Sequence, residues 1–338
     1  MAIKSKKGVF FTFMAILVVA VLVLAFSSDV YVSSKNEIPV VKSRVKTADS
    51  YLRNLEGSYL KSSLYTSSYN ALNSLILYMV YEDDFLDSES DLNAKFKEVV
   101  LNGSIDGKNI NTKYNIGLME ENSLIYRLDK IEEMSEYVLH IATDFDKENM
   151  DIVIFQSDDT GPWKVGVSLS LNFSVDAGVA SWNRTKTVSV TISILGFDDP
   201  LYLLKSGYPH PIKETPFNDT EWNVDTLKEH IADATYRHES NKSTEHSPSY
   251  LMRFYESYSP SLCCGIESMI NQTLADGRYK SYVDYCFWSN ACDDYGAWLY
   301  NYTIFKLYNI TYITTPSYPF KLDAYHVAQY NVTDEATW

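Results

Sequence analysis

The stretch WKVGVSLSLNFSV, residues 163–175, alternates apolar and non-apolar side chains at every step. Trp163, Val165, Val167, Leu169, Leu171, Phe173 and Val175 share one face of an extended chain, and Lys164, Gly166, Ser168, Ser170, Asn172 and Ser174 share the other. A period of two marks a strand buried on one side only. After Asp176-Ala177-Gly178 the pattern restarts. Ala180, Trp182, Val188, Val190, Ile192 and Ile194 face in, and Ser181, Asn183, Thr185, Thr187, Ser189, Thr191 and Ser193 face out. Arg184 and Lys186 interrupt the inward face, which predicts a bulge or break there. The two runs read as a long antiparallel hairpin with one wet face, and Met150 to Gln156 as a third strand.

Upstream, the period lengthens. After Pro39, Val41, Val45, Ala48, Leu52, Leu55 and Tyr59 recur at steps of four and three, and helical spacing continues through Leu64, Ala71, Leu75 and Tyr78. This predicts an amphipathic helix over about 39–81, about 64 Å long, with Gly57 its weak point. Its seam either packs on the protein's own domain or serves as a stalk or partner-binding face. Ser88-x-x-Asp91 is a capping box for a helix from Leu92 to Leu101, closed by Asn102-Gly103. Asp87, Glu89, Asp91 and Glu98 imitate part of a calcium loop, but Leu92 stands where such a loop needs Gly. A further helix is expected from Asn122 to Thr143, with Leu124, Leu128, Ile131, Val138 and Ile141 on one face.

At the N-terminus, residues 9–26 (VFFTFMAILVVAVLVLAF) form an unbroken apolar run behind Lys4, Lys6 and Lys7. As a helix it reaches about 27 Å, close to the thickness of a hydrocarbon core. The flanking lysines place the N-terminus in the cytoplasm and everything after Ser28 outside. The segment can be a retained anchor. It can be removed at the small-x-small site Ala25-Phe26-Ser27. It can also be processed after Gly8, with Lys6, Lys7, Gly8 and Val9 as the determinant. No second such run occurs, so the expected topology is single-pass.

The chain has 338 residues and a formal net charge of -15. That argues against nucleic-acid binding, which needs clustered cations. Nine Asn-x-Ser/Thr sequons begin at Asn102, Asn172, Asn183, Asn218, Asn241, Asn271, Asn301, Asn309 and Asn331. All fall on the side expected to be exported, so N-linked glycans are expected there. Asn172 and Asn183 also fall on the polar face of the hairpin. Cys263, Cys264, Cys286 and Cys292 form an even local cluster, read as two disulfides. A bond between the adjacent Cys263 and Cys264 is expected to be strained, so each is expected to reach Cys286 or Cys292. A four-thiolate metal site lacks Cys-x-x-Cys knuckles.

The organisation is therefore α+β: a cytoplasmic tip and transmembrane or signal-anchor helix (1–28), a neck (29–38), a helical plus antiparallel-sheet domain (39–195), and an irregular Cys- and Tyr-rich extracellular module stapled by disulfides (196–338). Within that module, helices are expected near Asn223 to Tyr236 and Gly265 to Thr273. His230, His238 and His246 stand eight apart, which matches no metal spacing, and read as loop histidines. Asp158-Asp159, Asp198-Asp199 and Asp293-Asp294 read as turn markers. No nucleophile elbow, phosphate loop, zinc-protease helix or dinucleotide fingerprint is present. No enzyme activity, cofactor or metal is expected.

Several segments together carry a resemblance: Lys-Lys-Gly-Val-Phe-Phe-Thr-Phe at 6–13, Ser-Trp-Asn at 181–183, Gly-Phe-Asp-Asp-Pro-Leu-Tyr at 196–202, Ser-Tyr-Leu-Met-Arg-Phe at 249–254, Gly-Ile-Glu-Ser-Met-Ile-Asn at 265–271 and Tyr-Val-Asp-Tyr at 282–285. The chain resembles an uncharacterised family of archaeal membrane-anchored surface proteins whose N-termini are similar to type IV pilins. That family carries no established activity, so the resemblance implies topology and fold rather than chemistry. After a cut at Gly8 the fifth residue would be Phe13, where major pilins carry Glu and some minor pilins do not. The expectation is a structural cell-surface protein, in its specific form a pilin-like minor subunit of a filament or secretion-type assembly. Residues 9–26 and the helix after Pro39 would pack with other subunits. The alternative is an anchored adhesin or ligand-binding ectodomain using the Tyr-rich face after residue 245.

Overall fold

The computed structural model describes residues 40–238, 247–270, 280–289, 292, 297–300, 320–333 and 336–337. The lysine-rich tip, the apolar run and the neck lie outside them. No described helix is long and apolar enough to cross a membrane.

Residues 40–82 form one continuous helix, α1, which widens into a π-turn at Leu55–Tyr59 around Gly57. Glycine is the weakest helix former in this stretch, and the turn opens there. Ala48, Leu52, Leu55, Leu60, Leu64, Leu72, Leu75 and Met79 are buried along it. The seam thus packs on the protein's own body over its middle and far end, while Val41, Val45 and Tyr59 stay exposed. Helix α2 (Glu89–Asn102) starts where Ser88 Oγ accepts the Asp91 N–H and ends at Gly103, whose φ of 67° few other residues adopt. The Glu98 carboxylate accepts from Ser104 Oγ, Asp106 N and Gly107 N. It therefore anchors the turn between β1 (Ser104–Ile105) and β2 (Lys108–Asn109). After α3 (Ile110–Tyr114), α4 (Leu124–Met134) ends in a π-turn, Ser135–Leu139, and a left-handed His140. The helix stops short of Thr143: Val138 is exposed, and Ile141 is buried as the chain leaves the helix.

A four-stranded antiparallel sheet follows: β3 (Ala142–Phe145), β4 (Asp151–Phe155), β5 (Lys164–Asp176) and β6 (Ser181–Ser193). β5 is central. β3 and β4 share one of its edges end to end, and β6 occupies the other from Lys164↔Ser193 to Asp176↔Ser181. That ladder is unbroken, which corrects the predicted bulge at Arg184 and Lys186. The cations are accommodated because Glu56, in the π-turn of α1, lies 3.2 Å from Lys186 Nζ and 3.9 Å from Arg184 Nε. Val165, Val167, Leu169, Leu171, Phe173 and Val175 are all buried, as the alternation demands. On the opposite face, the Phe155 ring lies over Gly166, where an added Cβ would stand 2.5 Å from the ring.

The remainder is irregular. It comprises α5 (Pro200–Ser206), α6 (Val224–Ala232), β7 (Arg237–His238) paired with β8 (Ile266–Glu267), a 3-10 turn at Leu251–Tyr255, and α7 (Asp284–Trp288). β9 (Ala297–Tyr300) then pairs with both β10 (Lys321–Asp323) and β11 (Ala336–Thr337), and α8 (Ala324–Gln329) follows β10. The helix expected from Asn223 to Tyr236 has its capping box at Asn223 and Thr226 but stops at Ala232. The one expected from Gly265 is replaced at its start by β8. There Ile266 N–H donates to Pro248 O and Ile270 N–H to Tyr282 O. One hydrophobic core runs from Ala48 to Val332. It is bridged by Leu86 N–H to Phe254 O and by Leu251 N–H to Gln156 Oε1. Disulfide-paired cysteines, antiparallel strands and helices together make the described chain α+β.

Candidate functional site

The most unusual chemistry lies inside the irregular half, where two ionic clusters are sealed from solvent. The first centres on Arg253, presented by the 3-10 turn. Its Nη1 stands 2.6 Å from Asp199 Oδ2 and 2.8 Å from Asp284 Oδ2, with both pairs at zero side-chain exposure. Nη2 donates to Ile266 O. Asp199 caps α5 by accepting the Leu201 N–H on Oδ1, and its Oδ2 also accepts from Tyr236 Oη at 2.8 Å. Asp284, the first residue of α7, takes the Tyr285 N–H and Ser268 Oγ. Burial raises the Asp284 carboxyl above its ordinary range in spite of the neighbouring Arg253. His210 Nδ1 lies 2.8 Å from Tyr236 Oη, and burial lowers this imidazole to about 4.

The second cluster centres on Glu267 in β8. Arg237 Nη1 (3.2 Å), Tyr330 Oη (2.8 Å) and His326 Nε2 (3.2 Å) converge on its carboxylate. His326 Nδ1 lies 2.6 Å from Asp323 Oδ2, and Asp323 Oδ1 caps α8 by accepting the His326 N–H. Burial works against a charge on His326, but Glu267 and Asp323 outweigh it and lift the imidazole to about 10. Burial likewise opposes the charge on Glu267, and His326 and Arg237 hold its carboxyl well below the usual range. Unshielded charges at this depth would cost several kcal/mol each, so the two clusters stand only because each charge has partners.

The cysteines lie beside these clusters and pair locally: Cys263 with Cys264, and Cys286 with Cys292. The expected pairing between the two ends is overturned. Cys264 Sγ is turned to Ser157 O, at the end of the sheet, whereas Cys286 sits in α7 with its Sγ 3.9 Å from Asp323 Oδ2. Cys286, Cys292, Asp323 and His326 each bring a donor atom within 4.8 Å of the others.

The glycosylation candidates Asn102, Asn172, Asn183, Asn218 and Asn331 are all exposed. Asn331 donates through Nδ2 to Trp222 O. Asn241, Asn271, Asn301 and Asn309 lie outside the described residues, as do Lys6, Lys7, Gly8 and Val9 and the pair Asp293-Asp294. On the wet face of the hairpin two sequons interlock. Asn172 stands opposite Thr185 and Ser174 opposite Asn183, so each acceptor faces the other sequon's hydroxyl residue. Thr185 Oγ1 donates to Asn172 Oδ1 at 2.7 Å. Both asparagines line an open groove of about 520 Å³ with Asp144 and Asp146.

Of the three histidines read as loop residues, His230 belongs to the last turn of α6 and is fully buried, and burial lowers it to about 3. His238 binds Gly265 O, and His246 lies outside the described residues. Of the tyrosines after residue 245, Tyr250, Tyr282, Tyr285 and Tyr330 are fully buried and Tyr255, Tyr258 and Tyr325 half-buried, and Tyr202 and Tyr236 join them in the core. No protein-family model, curated protein or solved structure matches this chain.

Proposed function

We propose that the chain is a single-pass cell-surface structural protein. Its α+β ectodomain is carried outside the cell on residues 9–26, with the N-terminus in the cytoplasm. In its specific form it is a pilin-like minor subunit, processed at Gly8, of a surface filament or secretion-type assembly. The observation that carries this reading is α1. It follows the apolar run and neck directly, and it is clamped to the sheet over its middle and far end. Its first turns leave Val40, Val41 and Val45 exposed at 66%, 46% and 39%. Arg44 ties these turns to Ala177 O and His140 O, and the valines left uncovered beside it suit a chain that continues into a membrane or against neighbouring subunits. The acidic balance and five exposed sequon asparagines support an exported, glycan-bearing surface. Among the described residues after 245, Tyr250, Tyr282, Tyr285 and Tyr330 fill the core, so they lend no support to an adhesive face.

Mass spectrometry of the mature N-terminus, from the native membrane fraction, tests the proposal. A start at Val9, with co-isolation of filament proteins, is the expected result. A start at Met1 removes the pilin-like form and leaves an anchored surface protein. A start at Ser28 overturns the anchor altogether.

A further inference from the structure

We propose that Cys286, Cys292, Asp323 and His326 form a redox-gated site for a thiophilic divalent cation such as zinc, closed while the two cysteines are bonded and opened by reduction. Three segments bring these donors together: α7 and the chain just after it, the end of β10, and the first turn of α8. All four donor atoms lie within 4.8 Å of one another. Around a tetrahedral zinc, sulfur, nitrogen and oxygen donors stand about 3.3–3.8 Å apart, so the widest pairs close by about 1 Å while His326 Nδ1 and Asp323 Oδ2, 2.6 Å apart, open slightly. A disulfide holds its sulfurs about 2 Å apart, whereas two thiolates on one zinc stand about 3.7 Å apart. Opening the bond therefore moves the sulfurs toward the spacing the metal requires.

The two non-sulfur ligands are already aimed. Asp323 Oδ1 is engaged by the α8 backbone, which leaves Oδ2 pointing at His326 Nδ1 at 2.6 Å and at Cys286 Sγ at 3.9 Å. On its other side His326 presents Nε2 to Glu267, which is itself held by Arg237 and Tyr330. An imidazole that donates outward to a carboxylate while its second nitrogen faces inward is the usual orientation of a metal-ligating histidine. The cation would replace the hydrogen shared between Nδ1 and Oδ2. Mixed sulfur, nitrogen and oxygen donors favour zinc over magnesium or calcium.

The chemistry balances in two steps. An external dithiol attacks the half-buried Cys292 sulfur, passes two electrons to the bond, and leaves as its own cyclic disulfide while Cys286 and Cys292 become thiols. The cation then displaces both thiol protons and the Nδ1 proton to solvent, binding two thiolates, one carboxylate and a neutral imidazole.

The test uses the full chain, reduced with a dithiol, desalted without oxygen and titrated with Co²⁺ as a spectroscopic probe. The expected result is one equivalent bound, with the intense visible bands of tetrahedral cobalt and a sulfur-to-metal charge-transfer band, and neither in the oxidised chain. Cys292→Ser, at the least buried ligand, should weaken binding at least about tenfold. The Cys263→Ser/Cys264→Ser variant should bind as the parent does. The proposal is overturned if the reduced chain shows no tetrahedral bands, or if Cys292→Ser binds Co²⁺ as tightly as the parent with its sulfur charge-transfer band undiminished. It is also overturned if the bands disappear with Cys263 and Cys264, or arise only as far-ultraviolet dichroism is lost.

Discussion

Arg253 and the two carboxylates it binds have no solvent contact, and together they hold three separate segments in place: the α5 cap, the 3-10 turn and the start of α7. Replacing Arg253 with Met leaves two acids buried without their cation. The expected loss is about 3–5 kcal/mol, read from the urea midpoint, and adding Asp199→Asn and Asp284→Asn should recover part of it. A loss below about 1 kcal/mol, the worth of an exposed pair, would mean that the cluster is not sealed. The buried histidines set a pH dependence. Burial holds His210 at about 4 and His230 at about 3, whereas the unfolded chain binds a proton on each near pH ~6.5. The stability these neutral imidazoles carry is present above that pH and is lost as pH falls, by up to about 1.4 kcal/mol per pH unit for each. Thermal midpoints should therefore drop between about pH 6.5 and pH 4, and His230→Asn should flatten the drop; a midpoint rising over that interval would contradict the assignment. Little of this was legible in the sequence. Asp198-Asp199, read as a turn marker, instead places Asp198 in a bridge to Pro211 and Asp199 at the cap of α5, where Asp199 binds an arginine 54 residues away, and Asp284 lies 31 residues from the same arginine. No local spacing encodes such a meeting. Asp199, Arg253, Glu267 and Asp284 lie in four separate segments, 196–202, 249–254, 265–271 and 282–285, which the chain brings together only on folding.

At the scale of elements the hairpin was legible except at Arg184 and Lys186, because burial on one face imposes a period of two. The error at Arg184 and Lys186 came from treating the strand alone. The acid that receives them, Glu56, belongs to a helix some 130 residues earlier. The ends of α1 and α2 were read to within a residue, whereas α4 and α6 were drawn too long. Caps such as Ser88, Gly103 and Asn223 are local, while α4 stops because His140 turns left-handed at the approach to the sheet. The alternation also places Gly166 on the wet face without saying why it is glycine. The structure supplies the reason, since the Phe155 ring occupies the space of a side chain. Gly166→Val should therefore cost about 1–3 kcal/mol by displacing that ring. In a Phe155→Ala background the same substitution should be close to neutral, because valine favours a strand once the space is free. A double-mutant cycle measures the coupling, and additive costs would show that the ring is not the obstacle.

For the whole molecule, the question is what holds the irregular half to the sheet. The cysteine cluster suggested staples, but the bonds join Cys263 to its neighbour and Cys286 to a residue six positions on. Loops this short restrict the unfolded chain little: the longer one contributes about 2 kcal/mol, less than a bridge across the module would. The long-range ties are ionic and hydrophobic. Arg253 and Glu267 each gather partners from distant segments, and one core continues from α1 and the sheet to Tyr330 and Val332. A continuous core makes the two halves unfold together. Cys286→Ser/Cys292→Ser should then lower stability by no more than about 2 kcal/mol and leave amide exchange in β5 unchanged. Arg253→Met, though distant from that strand in sequence, should speed exchange in β5 as much as in β8, because the slowest amides open only with the whole core. Hydrogen–deuterium exchange by mass spectrometry separates the cases. If β5 keeps its protection while β8 loses it, the irregular half is an independent unit resting on the sheet, and the ionic clusters stabilise that unit alone.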